Sequence, residues 1–392
     1  MTDAAGTLST LPPDRMESAL RLVDYMLGEA RMIEDADDVL AAMSEQIVAA
    51  GVPLDRASSI VQLLHAEAVA SARFWDRGQG TRSYLFPFDT TTGEEFVASP
   101  AAHVLETGEW LTLWLPDTPD ESYNIVAELK EAGHKHYTIA PVFMRNGMNG
   151  TFSFASNTRF SDSDLAFLRA VFPALAACQE ILATHRVMGE VMRMYVGEEP
   201  KKRILSGDVH RGEVMHIRSA ILFADMRRFT ELTADMEAEA ATELLNAYYD
   251  CVVPAVEAQG GEVLKFIGDG ILAIFRAEGD GSGACSRAVK AANDGLAKVA
   301  GQQGAPHFEV GIALHFGEVA FGNVGSGLRQ DYTVIGRDVN LAARVAGLCG
   351  ELNRPLLGSA AFCERLGMQG CENIGEFALK GLGGGQPVFR LT

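Results

Sequence analysis

Residues 218–232 read RSAILFADMRRFTEL and residues 260–275 read GGEVLKFIGDGILAIF. SAILFADM is a short run, apolar on both faces, that stops at Asp225; a run of that length and composition predicts a buried strand. EVLKFIGDGILAIF predicts two strands joined at Asp-Gly, the strongest short-range hairpin signal, with Asp269 in the turn. If the hairpin pairs beside the first strand, both carboxylates emerge at one sheet edge. Two hard oxygen ligands so placed suit a small divalent cation that keeps its other positions for phosphate and water. Taken singly, each aspartate is ordinary turn or cap chemistry; the pair gains meaning from motifs further along the chain.

The 392 residues are enough for two domains of ordinary size. A hydrophobic share of 47% with 22% charged residues implies real cores. The formal charge of −19 argues against nucleic acid as a partner, because a phosphate backbone requires a basic face. A single nucleotide is not excluded, since its charge can be met locally. Cys178, Cys251, Cys285, Cys349, Cys363 and Cys371 lack CxxC spacing and read as reduced core thiols. The N-terminus shows no signal pattern and no run is expected to reach the ~18 apolar residues of a membrane span, so a cytoplasmic location without membrane contact is expected.

In chain order, residues 1–13 read as a loose tail and 14–50 as helical. A further helical segment is expected over about 55–73. RSYLFPF, EWLTLWL, HYTIAPVFM and GTFSFAS, aromatic and β-branched, predict strands between residues 82 and 157. Ser161 caps a long helix over 165–196 whose apolar residues recur in steps of three and four from Leu168 to Tyr195. That stripe suits pairing with a second copy or packing on its own domain, and Pro173 is expected to kink or restart it. Residues 197–213 read as a charged joint. The expected organisation is therefore a tail (1–13), a first domain (14–164), a helical linker (165–213) and a second domain (214–392). The order of elements in that last part, strand, helix, hairpin, helix, hairpin, helix and closing strands, predicts an α+β fold with helices on a largely antiparallel sheet. Within it, HFEVGIALHFGEVAFGNVG (307–325) is read as a hairpin.

Two decoys occur in the first half. Gly93-Glu94-Glu95-Phe96 imitates a diguanylate cyclase signature but lacks the flanking helical pattern. His134 and His136 have no Cys or acidic partner at ligand spacing and read as a solvated loop entering a strand.

FADMRRFT (223–230), KFIGDG (265–270), DYTVIGRDVNLAAR (331–344) and LKG (379–381), in this order, resemble the catalytic domain of class III nucleotide cyclases. The Thr-bearing DYTVIG is similar to the bicarbonate-responsive adenylyl cyclase subclass. The first half, through PVFMRNGMNGTFSF and FSDSDLAFLRAVFPAL, resembles GAF sensory domains. The cyclase resemblance implies a ferredoxin-like catalytic domain that turns ATP into 3′,5′-cyclic AMP and pyrophosphate. It implies that Asp225 and Asp269 hold two Mg2+ or Mn2+ ions. Lys265 and Thr333 then match the adenine-selecting positions, Asn340 the ribose-orienting Asn, Arg344 the phosphate-stabilising Arg, and Lys380 the Lys on the terminal phosphates. Arg329, just before DYT, is a further candidate for phosphate. The family's head-to-tail homodimer implies sites shared between chains, and the GAF resemblance implies a small-molecule ligand for the N-terminal half. One departure is Arg228, where many relatives have Gly. Guanylate cyclase activity and a catalytically silent ligand-binding or dimerisation scaffold are the alternatives.

Overall fold

The computed structural model describes residues 11–63, 68–87, 94–207, 214–302, 307–326, 329–379 and 383–392. Two compact units divide the chain, Met1–Val191 and Met192–Thr392.

The N-terminal unit is built on a six-stranded antiparallel sheet in the order β3-β2-β1-β6-β5-β4. Its strands are β1 (Arg56–Gln62), β2 (Ala68–Asp76), β3 (Gly80–Pro87), β4 (Leu111–Trp114), β5 (His136–Phe143) and β6 (Asn149–Ser156). Helices α1 (Pro13–Leu27) and α2 (Ala36–Ala49) precede the sheet; α3 (Glu94–Val97), α4 (Pro100–Thr107) and α5 (Val126–Glu131) interrupt it; α6 (Asp162–Val196) follows. One face of the sheet (Ala57, Val61, Trp75, Val142, Phe152, Phe154) packs on α1, α2 and α6. On the opposite face Tyr137, Ile139 and Ala155 meet Val104, Val126 and Leu129.

The helical segment expected over 55–73 is two strands. Ser58, Ser59, Ile60 and Val61 lie between β2 and β6 and bond to both, and this sheet pairing overrides a weak helical spacing. Leu11 already packs into the core, and Pro13 opens α1; residues 1–10 lie outside the described ones. Nor are the two histidines solvated. His134 Nδ1 lies 2.9 Å from Asn157 Oδ1 and His136 Nδ1 accepts from the Phe160 amide at 2.8 Å, both rings being buried.

The expectation of no membrane-length apolar run also needs correction. Helix α6 is long and apolar enough to cross a bilayer, with a mean hydropathy of 1.5 over its most apolar window. Over its first half its apolar residues are those of a core helix, Phe167, Leu168, Val171, Leu175 and Cys178 being buried against the sheet, whereas Met188, Met194 and Tyr195 further along are exposed. It runs unbroken through Pro173.

In the C-terminal unit, α7 (Glu198–Ser206) precedes a sheet in the order β13-β14-β12-β10-β7-β9-β8, with β11 paired to β10. The strands are β7 (Val214–Met226), β8 (Glu262–Ile267), β9 (Gly270–Arg276), β10 (Val310–Ser326), β11 (Arg329–Ile335), β12 (Leu356–Ser359), β13 (Cys371–Ala378) and β14 (Gly385–Leu391). Between them lie α8 (Phe229–Thr233), α9 (Ala238–Ala258), α10 (Ser282–Gly301), α11 (Arg337–Glu351) and α12 (Ala360–Arg365). Central strand β7 is apolar on both faces because both are covered. Ala220, Leu222, Ala224 and Met226 pack against Leu244, Tyr248 and Val252 of α9 and Ala288 of α10. Ile221 and Phe223 pack against Val339, Ala342 and Val345 of α11.

The stretch 307–325 is not a hairpin. Val310–Ser326 is one 17-residue strand that pairs with β7 from Val310–Met226 to Gly322–Val214. Gly317, inside that strand, serves close approach: a Cβ there would collide with the Asp338 carboxylate. All six cysteines are free thiols, five of them buried.

Candidate active site

Register brings the two aspartates together. Strands β7 and β9 pair antiparallel to Ala224–Ile271, so Asp225 is the next residue outward, beside the β8–β9 turn. That turn has Gly268 and Asp269 as its central pair, between Ile267 and Gly270, with Gly268 in the left-handed region at φ +62°. The hairpin thus closes on Gly-Asp, one residue earlier than the expected Asp-Gly, because the glycine takes the conformation an L side chain avoids.

Register thus sets the carboxyls of Asp225 and Asp269 beside one another at the end of the sheet. Burial raises the Asp225 pKa to about 7, helped by its hydrogen bond and charge repulsion with Asp269. Two apposed carboxyls in a partly buried place hold a proton or call for a cation. Among the described residues no cluster of three or more His, Cys, Asp or Glu could hold a metal. A pair of hard oxygens fits Mg2+ or Mn2+ sharing its shell with phosphate and water, and does not fit a closed tetrahedral zinc site.

Two residues behind Asp225 the chain turns sharply. Arg227 Nη1 donates to Glu309 Oε2 at 2.9 Å and Asn353 Oδ1 at 3.0 Å. Arg228 adopts φ +57°, which explains why glycine is at home at this position. Its guanidinium is engaged by Glu231, with Nε at 2.6 Å from Oε2.

A second cluster forms between β8 and β11. Lys265 Nζ donates to Asp331 Oδ2 at 2.6 Å and to Thr333 Oγ1 at 3.3 Å. Lys265 and Thr333 are therefore neighbours across the fold, and Asp331 supplies the ammonium's counter-charge. Sequence reasoning missed Asp331. Its signal was there: Asp331 and Thr333 are two apart on one face of a strand, opposite a lysine in need of an acid.

Asn340 and Arg344 share one side of α11, four residues apart; Asn340 is exposed and Arg344 half-buried. The start of this helix is fastened to β10. Asp338 Oδ2 accepts from the Glu318 amide at 2.7 Å, and its Oδ1 lies 3.6 Å from His315 Nε2. The imidazole beside it, together with that amide, holds the Asp338 carboxyl below the usual carboxylate range. His315, 4% exposed, reaches Ser359 Oγ at 2.7 Å with its other nitrogen. Gly317 leaves the room for this contact.

Among the described residues, no hydrogen bond or ion pair within one chain links the acidic pair to Lys265, Thr333, Asn340 or Arg344. Arg329 opens β11 opposite Ser326, its side chain lying outside what is described, as does Lys380 altogether.

The adenylate and guanylate cyclase catalytic domain model matches residues 215–384. An adenylate cyclase of Anabaena cylindrica is 38% identical over 139 residues, covering 33% of this chain and 27% of that protein. The terminal-differentiation-specific adenylate cyclase of Dictyostelium discoideum is 31% identical over 178 residues, 44% of this chain and 8% of that protein. The chain thus spans only a minor part of the length of these curated relatives. Among solved structures, the adenylyl cyclase CyaB from P. aeruginosa is 27% identical with a TM-score of 0.40, covering 46% of this chain and 96% of that one. The guanylyl cyclase Cya2 is 26% identical with a TM-score of 0.38, covering 46% and 94%. Residues 215–384 are a catalytic domain of the adenylate and guanylate cyclase family.

Proposed function

We propose that this chain is an adenylate cyclase that converts ATP into 3′,5′-cyclic AMP and pyrophosphate, with Mg2+ or Mn2+, two per site, held by Asp225 and Asp269. The divalent cations would supply charge neutralisation for the phosphates and acidify the ribose 3′-OH. The chain's own groups do the rest by placement, as an in-line phosphoryl transfer requires. Asn340 orients the ribose so that its 3′ oxygen lies in line with the α-phosphorus. Arg344 meets the charge that develops on the phosphoryl oxygens with a planar fork. Lys380, and in a lesser role Arg329, hold the terminal phosphates that leave as pyrophosphate.

The observation that carries the choice of ATP is the contact between Lys265 and Thr333. It sets a donor beside a hydroxyl acceptor, matching adenine N1 and the exocyclic N6 amine. Guanine reverses the pattern at those two positions, leaving polar groups unmatched. Asp331 gives the second reading, use of GTP, a foothold of its own, since a carboxylate accepts from guanine N1–H. Turnover of ATP and GTP by the full chain, measured in parallel with Mn2+ and with Mg2+, decides between them. A kcat/KM ratio above about 100 in favour of ATP is expected; equal rates overturn the base argument.

A head-to-tail homodimer is part of the same reading, with Asp225 and Asp269 of one copy facing Lys265, Thr333, Asn340, Arg344 and Lys380 of a second. The N-terminal unit is read as a GAF-like sensor that binds a small molecule and sets the spacing of the catalytic pair. Its antiparallel sheet flanked by helices, with a long closing helix, supports that reading.

A further inference from the structure

Helix α9 presents two tyrosines in succession to two different surroundings. Tyr248 is fully buried, edge-on to Phe308 with ring centroids 6.1 Å apart. Tyr249, half-buried, turns to the β8–β9 hairpin instead. Its ring lies 4.5 Å from that of Phe266 at an interplanar angle of 34°. Its hydroxyl donates to the Gly268 carbonyl at 2.8 Å.

That carbonyl belongs to the peptide unit joining Gly268 to Asp269. A planar peptide moves as one piece, so a phenol that fixes its oxygen also fixes the Cα of Asp269. The restraint acts where the hairpin is otherwise thinly held. Phe266 and Ile267, which lead into the turn, are 48% and 50% exposed, and Gly268 brings no side chain to anchor it. Asp269 must nevertheless meet Asp225, which is fixed at the end of the central strand. The ring stack aligns the strand and the hydroxyl aligns the turn. These two contacts are separable by mutation.

We infer that Tyr249 is a positioning residue for the metal-binding turn: its hydrogen bond to Gly268 holds Asp269 against Asp225 and thereby sets the affinity for the divalent cation. The inference rests on the reading that these two aspartates bind the metal, and it concerns a residue with no part in the chemistry. Partners behind a ligand commonly set its orientation in this way.

The test is a Mn2+ titration of the full chain without nucleotide, followed by electron paramagnetic resonance, on wild type, Tyr249→Phe and Asp269→Asn. Tyr249→Phe keeps the ring on Phe266 and removes only the hydroxyl. A Kd for Mn2+ raised about five-fold is expected, the scale of one neutral hydrogen bond, with an unchanged melting temperature. In turnover, the Mn2+ concentration for half-maximal rate should rise while kcat at saturating Mn2+ and KM for ATP stay put. Unchanged Mn2+ affinity in Tyr249→Phe, with binding lost in Asp269→Asn, overturns the inference and leaves the metal site standing. Equal binding by wild type and Asp269→Asn overturns both. Should Tyr249→Phe weaken Mn2+ binding only together with a fall in melting temperature, Tyr249→Leu separates the causes. Positioning predicts that both variants lose affinity to a similar degree despite unequal stability. Affinity that tracks stability overturns it.

Discussion

The acidic end of β7 and the Lys265 cluster on β8 and β11 meet their charges in opposite ways. Asp225 and Asp269 are like groups set side by side, and burial first, then the neighbouring carboxyl, pushes the Asp225 pKa up to about 7. Lys265, Asp331 and Thr333 form a donor with two acceptors, satisfied among themselves and open to solvent, with Asp331 64% exposed. The first place requires something from outside before it is at ease. The second must give something up to bind. Charge that is unbalanced and partly buried marks where a cation belongs, whereas charge balanced at the surface marks where selectivity can be tuned with little effect on folding.

The strongest way to break this contrast is Asp269→Ala. Activity is expected to fall by at least about 10³-fold, the scale of losing a group that acts only in the transition state. The melting temperature should hold or rise, because the repulsion on Asp225 has gone. A stability loss with activity retained would sink the assignment. Mixing Asp225→Ala protein with Asn340→Ala protein tests whether the site is shared. Random exchange between symmetric dimers leaves one intact site in half of them, so roughly a quarter of wild-type activity should return. No recovery, with exchange verified by mass, argues for sites within one chain.

The solvent-open side of the contrast is sharpened by Asp331→Asn. Lys265 then loses its counter-charge, and the ATP-over-GTP ratio is expected to shift by about 10-fold, with no change in melting temperature. A ratio identical to wild type removes Asp331 from base reading.

A pH series addresses the buried pair. The folded-state pKa of Asp225 lies above its ordinary value, reaching about 7. Its contribution to stability is therefore greatest below about pH 4, the unfolded-state carboxylate range, and is lost as pH rises through 7. A divalent cation must displace that proton, so Mn2+ affinity should climb between about pH 6 and 8, and added Mn2+ should restore the stability lost there. A flat Mn2+ affinity across this range contradicts the proton-sharing pair. The smallest effect is expected at Arg228→Gly. Relief of the left-handed backbone should stabilise the fold by about 1 kcal/mol, measured by denaturant unfolding, with activity nearly unchanged since the guanidinium is already engaged by Glu231.

How far the fold could be read ahead depended on whether a segment's partners were local. SAILFADM and the hairpin of β8 and β9 declare themselves because strand length, apolar character and a nearby glycine turn agree within a few positions, although the turn closes on Gly268–Asp269 rather than on the expected Asp-Gly. Residues 56–62 do not, because one of the two strands that hold them in the sheet, β6, lies nearly a hundred positions away. The stretch 307–325 reads as a hairpin for a related reason: from sequence a glycine in a strand cannot be told from a turn, and only Asp338, brought alongside by α11, gives Gly317 its meaning. At the site, the seven motif positions stand out in the sequence as a set, while the contacts of Asp331 with Lys265 and of Tyr249 with the Gly268 carbonyl do not, since no spacing encodes them.

The clamp of Asp338 onto Glu318 and His315 has one more implication. Asn340 and Arg344 ride on a helix riveted at its first turn to the longest strand of the sheet, leaving that helix no joint of its own. Any signal that brings them nearer to a nucleotide must therefore carry the whole sheet along. In the dimer proposed above, control would then reduce to how two stiff plates are angled, and a regulator would need only leverage, not access to the chemistry.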